Sequence, residues 1–228
     1  AVTSPSNGNI GGGGFMVART AEGEIVTLAF REKAPTLSYE TMFLDQEGNY
    51  SRNLALLSHK SSGVPGTVDG LLKIFYDYGS GNFTLDEIMS YAIDYAENGH
   101  AINKSSAWGF DFYKHLFLED KGSTEIFIKN YSLEMRQLQE DVQNETIPEE
   151  EYIKKMRDIK EWNEGDIIVQ KDLAKTLKRI ATNGRDGFYE GETADLIVNE
   201  MKANNGLITY EDLKEYNSVY RKPIVGNY

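Results

Sequence analysis

The sequence predicts an α+β fold in which an N-terminal β-hairpin is followed by a chain that is mostly helical. Residues 15–18 and 25–30 are apolar runs rich in β-forming side chains, and the polar segment 20–24 separates them. This pattern predicts two buried antiparallel strands joined by a turn. Residues 36–63 show no clear period, whereas from residue 64 onward the apolar residues recur at helical spacing, which favours helices in most of the remaining chain.

Residues with known preferences for helix ends define two helices after residue 64. Pro65 stands where the first helix can begin and Gly79 where it can end. Thr84 and Glu87 form a capping box at the start of the second helix. The apolar residues expected on the inner faces are Val68, Leu71, Leu72 and Phe75 in the first helix and Ile88, Ala92 and Tyr95 in the second.

Further helices are predicted by the same spacing and by capping residues. They cover residues 108–117, 173–180, 194–201 and 209–216. Residues 221–228 are predicted to be an incoming strand that is cut off at the end of the sequence.

A charged segment at 131–162 differs from the rest of the chain, because it is dense in Glu, Lys, Arg and Gln. Its thin apolar stripes are Leu138 and Val142 before Pro148, and Ile153, Met156 and Ile159 after it. We predict a helical arm of two exposed helices, with Thr146 as a possible cap of the second. A solvated face explains such helices, and a partner-binding arm is the alternative.

Composition excludes several classes of protein. The net charge of -12 argues against nucleic-acid binding, which requires clustered Lys and Arg. The sequence contains no cysteine, and therefore no disulfide or thiolate site. No stretch reaches the roughly 20 apolar residues of a membrane helix, so no membrane contact is expected, and residues 1–9 lack the pattern of a signal peptide.

Common catalytic patterns are missing as well. His59, His100 and His115 do not have metal-ligand spacing, no serine stands in a nucleophile elbow, and Ala1 cannot serve as an N-terminal nucleophile. The glycine run 11–14 lacks the Lys-Ser/Thr of a phosphate loop, so its glycines are expected to permit close backbone packing. We therefore predict no metal and no cofactor in this chain, and none of these residues is a candidate catalytic residue.

Arg31 is the strongest candidate for a binding residue, because it follows the apolar run 25–30 directly. An arginine at the end of a buried strand can hold a ligand carboxylate through two parallel hydrogen bonds. The alternative is an internal ion pair with Glu32 or another acid.

Ordered motifs along nearly the whole chain resemble those of the γ-glutamyltransferases. They are Asn-Ile-Gly-Gly-Gly-Gly-Phe-Met at 9–16, Phe-Arg-Glu-Lys-Ala-Pro at 30–35, Gly-Val-Pro-Gly-Thr-Val at 63–68, Phe-Tyr-Glu-Gly at 188–191, Gly-Leu-Ile-Thr-Tyr-Glu-Asp-Leu at 206–213 and Arg-Lys-Pro-Ile at 221–224. Lys33 stands where a methionine is common in that family.

The resemblance implies an αββα fold of the N-terminal-nucleophile hydrolases, present here in part. It implies that residues 1–228 are an incomplete large-subunit domain, whose partners are its own small subunit and a small γ-glutamyl substrate. Family members cleave γ-glutamyl amides such as glutathione with the N-terminal threonine of the small subunit, which lies outside this chain. The residue that matches Arg31 grips the α-carboxylate of the glutamyl group.

The resemblance also carries expectations about the state of the protein and leaves alternatives open. Without the partner half of the sandwich, apolar surface would be exposed and the fragment could self-associate. Bacterial members are generally exported, which implies a periplasmic or extracellular location. A related acylase acting on another side-chain amide, or a non-catalytic binding module that uses the arm at 131–162, are the alternative functions.

Overall fold

The computed structural model describes residues 1–5 and 7–226, and within them the chain divides into two compact units. The first unit comprises Ala1 and the described parts of Thr3–Ile93 and Lys175–Tyr228, and the second comprises Val2 and Asp94–Ala174. The strands are β1 (Gly14–Arg19), β2 (Ile25–Phe30), β3 (His100–Ala101), β4 (Ile167–Ile168) and β5 (Val219–Arg221).

The helices account for most of the regular structure, which confirms the α+β prediction. In chain order they are α1 (Arg52–Leu57), α2 (Thr67–Tyr78), α3 (Leu85–Asn98), α4 (Lys104–Phe117), α5 (Lys121–Phe127), α6 (Leu133–Gln143), α7 (Glu149–Asp158), α8 (Lys171–Asn183), α9 (Asp186–Tyr189), α10 (Gly191–Ala203) and α11 (Tyr210–Glu215). Within the described residues, none of these helices is both long and apolar enough to cross a bilayer.

The predicted hairpin is confirmed as β1 and β2, which pair antiparallel with Gly14 opposite Phe30. Strand β5 adds to the other edge of β2, so that the order in this antiparallel sheet is β1-β2-β5. The prediction that the hairpin strands are buried was wrong for one face of β1. Leu28 is buried, but Phe15 and Val17 are 72% and 73% exposed, because alternate side chains of a strand point to opposite faces.

Most predicted helix ends in the first unit are confirmed. Helix α2 ends at Gly79, whose N–H donates to the Phe75 carbonyl at 3.0 Å. Helix α3 begins with the capping box, since the Thr84 N–H donates to Glu87 Oε2 at 2.7 Å and the Glu87 N–H to Thr84 Oγ1 at 3.2 Å. Helix α11 has a second capping box, formed by Thr209 and Asp212.

The predicted inner faces of α2 and α3 required correction. Leu71 in α2 and both Ile88 and Tyr95 in α3 are exposed, whereas Ile93 and Ala96 are buried. The final strand was also misplaced: β5 covers Val219–Arg221, before most of the residues predicted for it. Residues 227 and 228 of that prediction lie outside the described residues.

The second unit is built around α4, which begins four residues before the predicted start. The Asn103 side chain caps it by accepting from the Ser106 N–H at 2.8 Å. The core beside α4 contains buried apolar residues from several elements: Ile102, Ala107, Phe110, Trp162 and Ile168.

Residues 131–162 contain α6 and α7, which pack on each other through a small core of their own. Its buried members are Met135, Leu138, Tyr152 and Met156, so each helix is exposed on one face only. Helix α7 begins after Pro148, and the predicted cap Thr146 instead donates its hydroxyl to the Asp141 carbonyl at 2.8 Å. Proline suits this boundary because it disfavours helical geometry at the preceding residue.

Candidate functional site

The glycine-rich opening and the start of α2 meet at the end of β2, within the first unit. The Gly12 carbonyl accepts from the N–H groups of Gly66 and Thr67 at 2.8 and 3.0 Å. Gly13 lies so near β2 that an added Cβ would come within 2.9 Å of the Arg31 Cα. The predicted close packing of the glycine run is therefore present, and it surrounds the backbone that carries Arg31.

The backbone after Arg31 is fixed by pairing to other segments. Lys33 and Val64 exchange two backbone hydrogen bonds, with the Lys33 N–H donating at 3.2 Å and the Val64 N–H at 2.8 Å. Further along, the Thr36 N–H donates to Asp212 Oδ1 at 2.8 Å. Three of the motif segments thus meet around residues 31–36.

Arg31 itself lies at the surface, with its side chain 61% exposed. Its Nε atom is 3.3 Å from Glu32 Oε2, and its guanidinium lies 5.7 Å from the centre of the Phe15 ring. Among residues 1–5 and 7–226, the Arg31 guanidinium donates no hydrogen bond, and the ion pair with Glu32 is formed through Nε. The ion pair with Glu32, one of the two interpretations from sequence, is present, but it leaves both terminal nitrogens available to a ligand.

Tyr216 lies behind Arg31 and was not identified from the sequence. Its hydroxyl donates to the Arg31 carbonyl at 2.8 Å, and its side chain is almost completely buried. Burial, followed by the nearby charges of Asp69 and Glu32, raises the pKa of Tyr216 to about 12. The phenol is therefore neutral at physiological pH and remains a hydrogen-bond donor.

A partly buried ion pair, with Asp69 buried and the Arg185 side chain 28% exposed, lies next to Tyr216. Arg185 Nε is 3.1 Å from Asp69 Oδ1, and Arg185 Nη2 donates to the carbonyls of Tyr216 and Lys214 at 2.7 and 2.9 Å. Asp69 Oδ2 accepts from the Ser218 N–H at 2.7 Å. The pair therefore provides hydrogen-bond partners for backbone groups at the end of α11 and in the segment that follows it, which contains Tyr216.

Tyr189, from the fourth of the six motifs, completes this network. Its ring stacks on that of Tyr216 with the centres 5.7 Å apart. Its hydroxyl donates to the Pro65 carbonyl at 2.7 Å and accepts from the Asp69 N–H at 3.3 Å. Burial, the largest influence, raises the pKa of Tyr189 far above its ordinary range, so this phenol too stays neutral.

The contacts of the three histidines involve residues other than Arg31. His59 Nε2 is 3.0 Å from Glu200 Oε1 at the surface of the first unit. His115 is buried on α4, and burial lowers its pKa, with a further contribution from Arg157. The ring of His100 lies beside that of Tyr95.

The arrangement around Arg31 suits recognition of an anion. A guanidinium with two unengaged terminal nitrogens can bind a carboxylate in a bidentate manner. The backbone beneath it is held by Tyr216 and by the pairing of Lys33 with Val64, so little ordering is required when a ligand binds.

Comparisons with known proteins agree with these motifs. The Gamma-glutamyltranspeptidase family matches residues 1–228. The chain is 38% identical over 229 residues to a glutathione hydrolase proenzyme of Escherichia coli (strain K12), with 100% of this chain and 34% of that protein covered. It is 36% identical over 224 residues to a glutathione hydrolase proenzyme of Pseudomonas aeruginosa, covering 98% of this chain and 34% of the relative.

A solved structure supports the same assignment. The γ-glutamyltranspeptidase of Helicobacter pylori is 41% identical, with a TM-score of 0.84 over 100% of this chain and 57% of that one. The expected N-terminal-nucleophile hydrolase fold is confirmed by this likeness. The chain spans about a third of the length of the curated relatives it matches. Because the family match covers its whole length and these relatives agree with it, the chain belongs to the γ-glutamyltranspeptidase family.

Proposed function

We propose that the full-length protein cleaves γ-glutamyl amides such as glutathione and transfers the γ-glutamyl group to water or to an amino acid. The family membership of the chain and the glutathione hydrolase activity named for its relatives support this proposal. The chain contributes the part of the substrate site that holds the α-carboxylate of the donor.

The environment of Arg31 is the observation that carries the proposal. Its guanidinium lies at the surface, and its Nε faces Glu32 at 3.3 Å. The two terminal nitrogens can then form parallel charge-assisted hydrogen bonds to the donor carboxylate. Glu32 balances the charge of the guanidinium in the free protein and favours one orientation of it.

The nucleophile is proposed to lie in sequence outside this chain, as the N-terminal threonine of a small subunit. An α-amine on the same residue can act as the base that activates the hydroxyl. The relatives are proenzymes of which the chain spans 34%, which supports a larger protein that is cut into two subunits. We expect the chain alone to release no product from a chromogenic γ-glutamyl amide.

The small subunit is proposed to cover the exposed face of the β1-β2-β5 sheet. The apolar residues on this face are Phe15, Val17, Ile25 and Val219, at 72%, 73%, 41% and 42% exposure. A contiguous apolar surface of this kind marks an interface in most soluble proteins. The same surface would promote self-association of the chain when the partner is absent.

Substitution of Arg31 in the full-length enzyme tests the function. We expect Arg31→Ala to weaken donor binding by about 1.4 kcal/mol or more and therefore to raise the donor KM at least tenfold, because the donor carboxylate loses its charge-assisted partner. Arg31→Lys should recover part of this loss, because it keeps the charge but not the planar fork of donors. Steady-state kinetics over a series of donor concentrations provides the measurement.

Arg52→Ala is the matched control, because Arg52 is also exposed in the first unit but stands at the start of α1. Its kinetic constants should equal those of the wild type. An unchanged KM and kcat in Arg31→Ala would contradict the proposed role of Arg31. If both arginine variants lose activity equally, the loss reflects general charge and not a specific contact.

Donor analogues distinguish this function from that of a related acylase. A γ-glutamyl amide carries an α-amine and an α-carboxylate, whereas a glutaryl amide lacks the α-amine. We expect the enzyme to prefer the γ-glutamyl donor. Equal or greater kcat/KM with the glutaryl donor would favour the acylase, and absence of turnover with both would favour a binding module.

A further inference from the structure

We infer that Tyr216 is a positioning residue for Arg31, and that the partly buried Asp69–Arg185 pair holds Tyr216 in place. The inference rests on the proposed function, because it assigns Tyr216 to the binding of the donor carboxylate. Its basis is a continuous set of hydrogen bonds within the first unit that ends at the Arg31 carbonyl.

Arg31 needs a positioning residue because its own side chain does little to fix it. The side chain is 61% exposed, and within the described part of the chain its one ion pair is with the neighbouring Glu32. The ladder between β1 and β2 ends at Phe30, and the next backbone pairing is that of Lys33 with Val64. Between these fixed points, the Tyr216 hydroxyl donates to the Arg31 carbonyl at 2.8 Å and therefore restricts the peptide plane from which the guanidinium extends.

Tyr216 is in turn confined on several sides. Its ring stacks on Tyr189 at an interplanar angle of 8°, and Lys33 Nζ lies 4.8 Å from the centre of the ring. Its hydroxyl occupies space that is open only because residue 66 is glycine, since a Cβ there would overlap the hydroxyl and the Phe30 carbonyl. These contacts restrict the Tyr216 side chain to one conformation, in which the hydroxyl points to the Arg31 carbonyl.

The Asp69–Arg185 pair fixes the backbone of Tyr216. Arg185 Nη2 donates to the Tyr216 carbonyl at 2.7 Å, and Asp69 Oδ1 holds Arg185 Nε at 3.1 Å. With its second oxygen, Asp69 accepts from the Ser218 N–H at 2.7 Å. The Tyr216 carbonyl is thus linked to the Asp69 carboxylate through Arg185, and the Ser218 N–H is linked to it directly. An ion pair with several hydrogen bonds of this kind restricts the backbone of residues 216–218 to one conformation.

Removal of one hydroxyl group tests the inference in the full-length enzyme. Tyr216→Phe keeps the ring and its stacking but deletes the donor to the Arg31 carbonyl. We expect the KM for a chromogenic γ-glutamyl donor to rise about threefold to tenfold, the range given by the loss of one hydrogen bond. The kcat should change less than about twofold, because the interaction is the same in the ground state and the transition state.

Tyr220→Phe is the matched control. Tyr220 also donates through its hydroxyl, to Asp77 Oδ2 at 2.6 Å, but it lies on β5 and makes no contact with Arg31. Its KM and kcat should match those of the wild type. Circular dichroism of both variants verifies that the kinetics refer to folded protein.

A double-mutant cycle separates positioning from a general structural role. In an Arg31→Ala background, Tyr216→Phe should have no further effect on the donor KM, because the group that it positions is missing. A further rise of the same size in that background, or equal behaviour of Tyr216→Phe and Tyr220→Phe, overturns the inference alone. An unchanged KM in Arg31→Ala itself overturns the proposed function together with the inference.

Discussion

Each of the two units contains an ion pair that is shielded from solvent, partly in the first unit and almost completely in the second. The two pairs have different surroundings. In the first unit, Arg185 and Asp69 spread their hydrogen bonds over backbone groups that lead to the exposed Arg31. In the second unit, the fully buried Lys114 lies 3.2 Å from Asp111 Oδ1 and 3.5 Å from Glu161 Oε2.

The pair in the second unit ties together the ends of the segment that carries α6 and α7. Lys114 Nζ donates to the Ile159 carbonyl at 2.6 Å, just after α7. Glu161 Oε1 accepts from the Asn130 N–H at 2.7 Å, just before α6. The comparison teaches that an ion pair can hold the backbone beside a candidate binding residue in one region and tie together the ends of a helical arm in another.

Replacement of Lys114 is expected to have the largest effect on stability. Lys114→Met leaves Asp111 and Glu161 buried without a cation, which should lower the free energy of unfolding by about 3–5 kcal/mol. Urea denaturation of the full-length protein provides the measurement. Because the pair anchors the arm and not Arg31, the donor KM of folded Lys114→Met enzyme should stay within about twofold of the wild type, a difference of about 0.4 kcal/mol.

Lys129→Met is the control for Lys114→Met. Lys129 pairs with Asp166 at 2.8 Å, but its side chain is 44% exposed, and such surface pairs contribute about 0–1 kcal/mol. If Lys114→Met destabilises the protein no more than Lys129→Met, the buried cluster does not anchor the arm. A large rise in donor KM in Lys114→Met would remove the functional contrast between the two units.

Substitution of one glycine in each unit should change the free energy of unfolding by an intermediate amount and extends the comparison of the two units. Gly66 has an ordinary φ of -116°, so the effect of Gly66→Ala comes from overlap of the new methyl group with Tyr216 and Phe30. We expect a loss of about 1–3 kcal/mol in unfolding free energy and a raised donor KM. Thermal unfolding and steady-state kinetics measure the two effects.

The second glycine, Gly109, lies within α4 of the second unit with open space around its Cβ position. Gly109→Ala should therefore stabilise the protein by about 0.5–1 kcal/mol through helix propensity, with no change in KM. Equal responses of the two glycine variants would show that the space at Gly66 has no special role.

Acidification should lower the stability of the second unit but not that of the first, and this is the smallest of the expected effects. Burial, and then the Arg157 cation, lower the pKa of His115 below its ordinary value of 6.5. The unfolded chain then binds a proton more readily than the folded one, so stability is complete above pH 6.5 and falls as the pH drops below it. The loss is at most about 1.4 kcal/mol per pH unit for one proton.

Hydrogen exchange with mass spectrometry can assign this loss to a region. After correction for intrinsic rates, amides of α4 and α7 should lose protection between pH 7 and pH 5.5, a range chosen to span the ordinary histidine pKa, and His115→Gln should abolish the change.

In the first unit, burial raises the pKa of Asp212, but hydrogen bonds from Thr36 and Thr209 outweigh it and lower the net pKa below 3.8. The stabilisation from Asp212 is present above pH 3.8 and is lost only below it, so α11 should stay protected. Loss of protection in α11 alone would contradict this assignment.

Local signals in the sequence predicted element ends better than they predicted which side faces the core. The capping box of Thr84 and Glu87 located the start of α3, because capping depends on residues three positions apart. Apolar residues lie on two sides of α3, however, and spacing alone favoured Ile88 over the buried Ile93. The Asn103 cap of α4 was missed because polar residues follow it.

The candidate site was predictable only in part for a similar reason. Arg31 was selected as a candidate because it ends an apolar strand and lies in a motif of a known family. Tyr216 contacts it across 185 positions of sequence, and no local pattern connects the two. The Asp69–Arg185 pair spans 116 positions, and only the folded chain shows that its hydrogen bonds reach the Tyr216 backbone.

The central claim is that Arg31 binds the α-carboxylate of the donor, and a comparison of two donors tests it most directly. One donor is a γ-glutamyl anilide and the other is the corresponding 4-aminobutyryl anilide, which lacks only that carboxylate. Their kcat/KM values are measured in the full-length wild type and in Arg31→Ala. We predict that the wild type prefers the γ-glutamyl donor at least tenfold, about 1.4 kcal/mol or more, and that Arg31→Ala loses most of this preference. A preference that persists undiminished in Arg31→Ala would contradict the account.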